Sequence, residues 1–454
     1  MTRAVVVGAS IAGLVAARVL SDVVEEVLVV ERDELPADAA SRAGVPHSGH
    51  VHVLLRRGYH ELCRLFPAFD ARLAAGGSPS VDWARDAVWI TADGEAPRFP
   101  SRLRSRAASR PLFEAVIRDL VCERSNVRFV DGHEVVGLRG DASGVTGVRM
   151  RKRGSAHPAE GDGGGEELAA WLVVDASGRS SRVPAFLVGF GLAPPEETVV
   201  DASLRYATRI YRIPPGERDW VALLVRDRPP GSTRGGGVFR IEGDRWLVTL
   251  GGAGETDHPP TDDAAFLEFT RTFISLRLHD AIRDAEPLTP TRGWARTANR
   301  WRHAERMPDW PAGLTLFGDS LCSFNPVYGQ GMSVAAMEGP ILARWLRSGP
   351  VEAARRSGRP PDTRPLLREI AATARLPWFL AVGEDARIPG VVGAPPVGLA
   401  ARLARRYVDA VLRTSARDAD AFRRFTEVTQ LVRPPVALFD PMLMWRVARV
   451  RFAR

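Results

Sequence analysis

The first 31 residues constrain this chain most. An apolar run from Ala4 to Val7 meets Gly8-Ala9-Ser10-Ile11-Ala12-Gly13, a helix-compatible stretch continues to Leu20, and VEEVLVVERD follows, carrying Glu31 at the end of its apolar run. Strand, tight turn, helix and strand in about 30 residues is the length that a right-handed crossover between parallel strands requires. The turn is a GxSxxG variant of the dinucleotide fingerprint. Gly8 permits the tight turn, the small Ser10 lets the backbone approach a pyrophosphate, and Gly13 permits close packing of helix on strand. The first helical amides, at Ile11 and Ala12, then point at the phosphates. Glu31 offers a carboxylate to the hydroxyls of a ribose, and Arg32 beside it is a further candidate contact. The competing reading is an ordinary glycine turn in an α/β domain. Internal glycines and the acid that follows argue against a signal peptide or a membrane span over residues 4–20.

One such fingerprint points to one dinucleotide. The run GGAGET at Gly251 is no second site, because TDHPPTDD replaces the apolar helix that the turn should open. Downstream, HVHVLLRRGYHELCRLF reads as a helix ending near Pro67, and Pro111 to Val121 as another. NVRFVDGHEVVGLRGD and GVTGVRMR read as paired strands, with Val135 in the first a candidate cofactor contact. GSAHPAEGDGGGEE reads as a polar hairpin tip or flexible loop. LAAWLVVDASGR returns the chain to the first sheet as a buried strand. Residues from about 199 to 294 alternate like antiparallel strands, MSVAAMEGPILARWLRSG is helical, and the last hundred residues are helical and basic. The expected architecture is an α/β fold in three parts. A discontinuous Rossmann-like FAD-binding domain would take residues 1–75, 101–185 and 300–350. An interleaved antiparallel-sheet substrate domain would take 76–100 and 186–299, and a helical region 351–454.

Four segments in order carry a family resemblance: Arg42-Ala43-Gly44-Val45-Pro46, Ser109-Arg110-Pro111-Leu112-Phe113, Gly318-Asp319-Ser320 and Asn325-Pro326-Val327-Tyr328-Gly329-Gln330-Gly331-Met332. Together they resemble the flavoprotein monooxygenases of the para-hydroxybenzoate hydroxylase fold. Within that fold, RAGVPHSGHVHVL, DASGRSS from Asp175, YATR from Tyr206 and FNPVYGQGMS are most similar to bacterial polyether polyketide epoxidases of the lasalocid type. The chain departs from that pattern at His47, where such enzymes usually carry glutamine.

The resemblance implies bound FAD. Arg42, Gly44 and Val45 would lie in the loop beside the isoalloxazine, and Arg110 would contact the flavin; either arginine could also neutralise the pyrophosphate or be a surface residue. Asp175 and Gly178 would belong to the cofactor turn. Asp319 would bind a ribityl hydroxyl or cap the following helix. Pro326, Gly329, Gly331 and Met332 would lay backbone against the ring, and the positive helix end would favour the anionic reduced flavin. Tyr206, Phe324 and Pro326 are the candidate pocket residues. His50 and His52 are packing, solvent-facing or catalytic.

The implied activity is reduction of FAD by NADPH or NADH, reaction with dioxygen to a C4a-hydroperoxide, and oxygen transfer to an alkene of a lipophilic polyketide or terpenoid. Such epoxidation requires no side-chain base, and no catalytic dyad stands in the sequence. The alternatives are aromatic hydroxylation, a flavin-linked reductase or cyclase, or a non-catalytic relative; a partner flavin reductase could supply the electrons. A halogenase is disfavoured, since WxWxIP is absent and Lys152, the one lysine, sits in a basic run.

Composition removes other classes. The formal charge of +8 is almost all arginine, scattered and not interleaved with stacking aromatics, which argues for a solvated basic surface and against nucleic acid. Cys63, Cys122 and Cys322 have neither the count nor the spacing of a disulfide framework or zinc site, so no metal and a reducing, cytoplasmic setting are expected. The C-terminal helices are expected to pack on the substrate domain; attachment to a membrane surface is the less favoured alternative.

Overall fold

The computed structural model describes residues 2–154, 165–254, 256–396 and 398–452. Short runs of Val, Leu and Ala buried on both faces make a five-stranded parallel sheet, as such runs do when helices cover both sides. Its order is Leu314–Leu316, Leu172–Asp175, Arg3–Val7, Glu26–Val30, Val127–Val130. Val7 stands opposite both Asp175 and Val30, and Asp175 opposite Leu316. Gly8, Glu31, Ala176 and Phe317 therefore leave the sheet along one edge, the carboxyl edge at which ligands of such sheets bind.

Two sequence expectations are corrected here. Val127–Val130 joins the parallel sheet beside Glu26–Val30, and of this segment it is the later part, His133–Gly140, that pairs with Val145–Lys152. The break falls at Gly132, whose φ of +64° turns the chain between the two strands. The helix expected from His50 to near Pro67 begins only at Arg56 and runs to Leu65. His50 to Leu55 is not helical: the Leu55 amide donates to Ser333 Oγ at 3.0 Å and the Arg56 amide to Gln430 Oε1 at 2.7 Å. HVHV alternates with period two, which fits an extended chain better than a helix. The expected polar hairpin tip falls mostly on residues 155–164, outside the described residues.

A second sheet of seven strands runs Arg292–Trp294, Leu204–Arg212, Arg245–Ala253, Gly235–Ile241, Ala222–Arg226, Ala87–Thr91, Gly94–Glu95. All its pairings are antiparallel except Ala87–Thr91 with Ala222–Arg226. It has its own core around Tyr211, Trp220, Leu223, Trp246 and Phe266. Gly251 and Gly252 lie inside one of these strands, opposite Tyr206 and Arg205, so GGAGET forms no dinucleotide turn.

The helix Gly331–Leu346 packs on the helices Ile11–Leu20 and Arg56–Leu65. Small residues make the approach possible: a Cβ on Gly58 would sit 2.4 Å from Ser333 Cα. Helices Gly349–Ser357, Arg364–Asp385, Leu399–Ser415, Ala419–Thr429 and Pro441–Phe452 complete the chain. Among the described residues no helix is long and apolar enough to cross a membrane.

Candidate dinucleotide and substrate site

Gly8 adopts φ +99°, and a Cβ there would lie 2.8 Å from Ala176 O. A Cβ on Gly13 would lie 1.8 Å from Gly8 O, so the helix Ile11–Leu20 can start this close to the strand only with glycine. Ser10 is its N-cap residue, yet the Ser10 hydroxyl makes no capping bond. The first helical amides, including those of Ile11 and Ala12, have no partner within the helix, as at any helix start. Glu31 lies beside them, 4% exposed, accepting from the Ala9 amide at 2.8 Å and the Asp33 amide at 3.1 Å. Two oxygens offer about four acceptor positions, so room for a hydroxyl donor remains.

Ser10 Oγ instead donates to Glu114 Oε2 at 3.0 Å and accepts from Arg110 Nη2 at 2.5 Å. This contact opens a buried charge cluster. Arg42 Nε reaches Glu114 Oε1 at 2.9 Å, and Arg42 Nη1 reaches Glu31 Oε1 at 3.0 Å and Asp33 Oδ2 at 3.2 Å. Arg110 Nη2 also meets Glu114 Oε2 at 3.2 Å. Burial opposes the Arg42 charge, but Glu114, Glu31 and Asp33 outweigh it and hold its pKa above the ordinary value. Burial likewise opposes ionisation of Glu114, and Arg110 and Arg42 reverse the sign, holding its pKa low. With its side chain 5% exposed, Arg42 is not a surface arginine. Its Nη2 and the Nε of Arg110 are buried without a protein partner. Buried donors of this kind ordinarily have an acceptor, and the phosphate or ring carbonyl oxygens of a flavin dinucleotide would supply it.

The remaining loop residues gather around this cluster. Gly44 N donates to Asp33 Oδ2 at 2.5 Å, Arg32 Nη2 to Gly44 O at 3.3 Å, and Val45 is buried. Arg32 thus braces the loop with an exposed side chain. Val135 packs against the main core from its strand.

Across the carboxyl edge of the sheet, Gly318 adopts φ +60°, and its amide donates to Glu338 Oε2 at 2.7 Å. Glu338 is fully enclosed, and burial pushes its pKa up to about 8. Asp319 follows, its side chain 39% exposed and its Oδ2 3.9 Å from Arg179 Nε. It does not cap the helix Gly331–Leu346, whose N-cap residue is Gln330. Gly178 lies alongside, its amide donating to Ser320 Oγ at 2.8 Å. A Cβ on Gly331 would be 3.4 Å from Asp319 Oδ1, so the carboxylate and the helix start share one recess. Gly329 is left-handed at φ +63°, and Met332 Sδ accepts from Arg110 Nη1 at 3.2 Å. The loop thereby joins the charge cluster to the helix start.

Asp175 is placed differently from the expectation of a cofactor contact. It is 3% exposed and accepts from Ser177 N at 3.0 Å, Ser177 Oγ at 2.5 Å and Ser181 Oγ. It shapes its own turn. Phe324, expected in the pocket, is 4% exposed within the main core, and its carbonyl is held by Arg179. Pro326 is half-buried in the 3-10 turn Pro326–Tyr328. Tyr206 is buried, its hydroxyl donating to Asn325 Oδ1 at 2.8 Å.

Asn325 belongs to a network that sequence reading missed. Its Nδ2 donates to Asp385 Oδ1 at 3.2 Å; Asn299 Nδ2 donates to Asp385 Oδ2 at 2.6 Å and Tyr328 OH to Asp385 Oδ1 at 2.6 Å. Asp385 has no exposed surface, and burial raises its pKa despite these donors. The three loop histidines form a second unforeseen cluster. His47 lies 5.3 Å from His52 and 5.5 Å from Trp294 between ring centres, and His50 6.1 Å from Trp294. His50 Nδ1 is 2.7 Å from Thr208 Oγ1, which is 2.7 Å from Thr249 Oγ1. Burial, with Arg110 and Arg179 nearby, lowers the His47 pKa to about 3; burial and Arg292 lower that of His50 to about 4. All three rings are neutral at neutral pH, and among the described residues no cluster could hold a metal ion.

Comparison with known proteins agrees with this construction. A family model described as an FAD binding domain matches residues 1–349. The chain is 35% identical over 394 residues to Protein Rv3254 of Mycobacterium tuberculosis, covering 84% of this chain and 80% of that one. Its fold is similar to a triple mutant of the flavin-dependent brominase Bmp2, with TM-score 0.66, 15% identity and coverage of 99% and 98%. It is also similar to PqsL of Pseudomonas aeruginosa, a probable FAD-dependent monooxygenase, with TM-score 0.59, 15% identity and coverage of 93% and 98%. The fingerprint turn, the buried arginine donors and the match over the first 349 residues agree: the chain belongs to the FAD-binding domain family.

Proposed function

We propose that the chain is an FAD-dependent monooxygenase that epoxidises an alkene of a lipophilic polyketide or terpenoid intermediate. One atom of dioxygen enters the substrate and the other leaves as water, with NADPH or NADH, directly or through a separate flavin reductase, supplying two electrons. Bound FAD would supply the oxygen activation. Arg42, Arg110, Asp319 and the helix start at Gly331 would hold it, on the same buried donors and recess described above.

The neutral aromatic cluster of His47, His52 and Trp294 carries the choice of alkene. Hydroxylation of a phenol gains from a base that removes the phenolic proton, and a base works best with a pKa near the operating pH. His47 and His50, lowered to about 3 and about 4, are poor bases at neutral pH, whereas transfer of an electrophilic oxygen to an alkene needs none. Aromatic hydroxylation on the same fold is the second reading. The likeness to a brominase supports the fold alone, and Lys152 is exposed at the end of its strand, opposite His133.

The test is product analysis after incubating the FAD-loaded protein with NADPH or NADH, with and without an added flavin reductase, against polyenes and phenols. Epoxide formed only from polyenes supports the proposal. Catechol formed from phenols with no epoxide replaces it with the hydroxylase reading.

A further inference from the structure

The last 56 residues, 399–454, hold 12 arginines against five acidic residues, so seven of the chain's eight net positive charges lie there. This segment folds around its own small core of Val411, Ala421, Val428, Leu438, Leu443 and Val447. It meets the rest through Phe422, 6.3 Å from Trp89 and Phe99, through Gln430, whose Oε1 accepts from the Arg56 amide at 2.7 Å, and through the Asp409–Arg387 ion pair at 2.8 Å. Its other side carries large apolar side chains in water. Leu399 and Leu403 are 68% and 54% exposed, one helical turn apart on the helix Leu399–Ser415, and Tyr407 extends the same stripe. Tyr407 stacks on Phe439 at 4.8 Å, which carries the stripe across to exposed Val436 and Met442 and on to Trp445, 54% exposed.

Arginines border these apolar groups. Arg402 and Arg406 are exposed beside Leu403 and make no ion pair among the described residues, and the Arg449 guanidinium stands 4.6 Å over the Trp445 ring. Exposed apolar patches of this extent mark interaction surfaces. An amphipathic helix with exposed leucines bordered by arginine, beside a second helix that exposes Trp445 under an arginine, matches a lipid interface.

We propose that this C-terminal face docks on a membrane surface bearing anionic headgroups. The apolar stripe would enter the headgroup boundary and the bordering arginines would meet lipid phosphates. The concentration of charge selects this partner over a second copy of the chain, which would set this excess of arginine against itself. The inference does not depend on the reaction proposed above.

The test is co-sedimentation of the full-length, FAD-loaded protein with vesicles of phosphatidylcholine alone and of phosphatidylcholine with phosphatidylglycerol. Binding is expected to the second only and to weaken as salt is added. The pair Arg402→Gln and Arg406→Gln is expected to weaken that binding by about tenfold or more, and the pair Leu403→Glu and Trp445→Glu to abolish it. Unchanged flavin absorbance and melting temperature would show that both variants remain folded. No binding to anionic vesicles, or equal binding by the folded variants, overturns the proposal. So does a dimer in analytical ultracentrifugation that Trp445→Glu disperses, with no vesicle binding.

Discussion

The hydroxyl of Tyr206 donates to Asn325 Oδ1 at 2.8 Å, tying the strand Leu204–Arg212 of the seven-stranded sheet to the loop that precedes the helix Gly331–Leu346. Asp385, at the end of the long helix Arg364–Asp385, accepts from Asn325, Asn299 and Tyr328 on the other side of that loop. The seven-stranded sheet and a C-terminal helix therefore set the position of one loop. Tyr206→Phe removes one hydrogen bond and should cost about 1 kcal/mol. Asp385→Leu strands three donors and should cost about 3 kcal/mol or more. Urea denaturation of the two variants measures the difference.

Arg42 separates three buried carboxylates, Glu31, Asp33 and Glu114. Arg42→Ala should destabilise the fold by about 3 to 5 kcal/mol at neutral pH, since it leaves buried charge unpaired. Glu114 is held below its ordinary pKa, so in the parent its contribution is present at neutral pH and is lost as pH falls through its lowered value. In Arg42→Ala that acid-dependent loss should shrink. Denaturation midpoints across acidic to neutral pH would check it.

Glu338 behaves oppositely. Its pKa is raised from 4.5 to about 8, so the folded state keeps a proton that the unfolded state releases. Stability is fully present below 4.5 and falls as pH rises toward about 8. Glu338→Gln keeps an oxygen for the Gly318 amide and should flatten this decline, making the variant the more stable protein above neutral pH. Melting temperatures measured from acid to mild alkali would show whether the slope disappears.

His47 carries the reverse signature, at lower pH. Its pKa falls from 6.5 to about 3 on folding, so stability is present above 6.5 and drains away as pH drops toward about 3. His47→Gln, the residue common in the polyether epoxidases, should keep flavin and resist mild acid better than the parent. Equal acid sensitivity in both proteins would refute the assignment.

Gly13→Ala places a Cβ 1.8 Å from Gly8 O and should separate the first helix from its strand. The protein is expected to purify with little or no flavin, read from the ratio of visible to ultraviolet absorbance.

Local chain geometry explains which of these features could be read in the sequence. Gly8, Ser10 and Gly13 are visible because a turn and a helix start need small residues at fixed spacing, whereas Gly318 was found only through the family resemblance; short apolar runs mark the buried strands. Asp385 was not visible, because its partners come from positions 299, 325 and 328 and no local spacing brings them together. Glu114 and Asp33 were missed for the same reason: each looks like an ordinary charged residue until Arg42 folds over it. An acid at a strand end, such as Asp175, suits either a ligand or its own turn, and only the positions of Ser177 and Ser181 show that it shapes the turn. The misread helix start at His50 came from treating an alternating segment as part of the helix beside it.

The most direct measurement uses isotopically labelled dioxygen. The FAD-loaded protein would be given NADPH, a flavin reductase and a polyene, and the product examined by mass spectrometry. One labelled oxygen atom in an epoxide is the expected result. Flavin that is reduced and reoxidised while the polyene gains no label would contradict oxygen transfer by this protein.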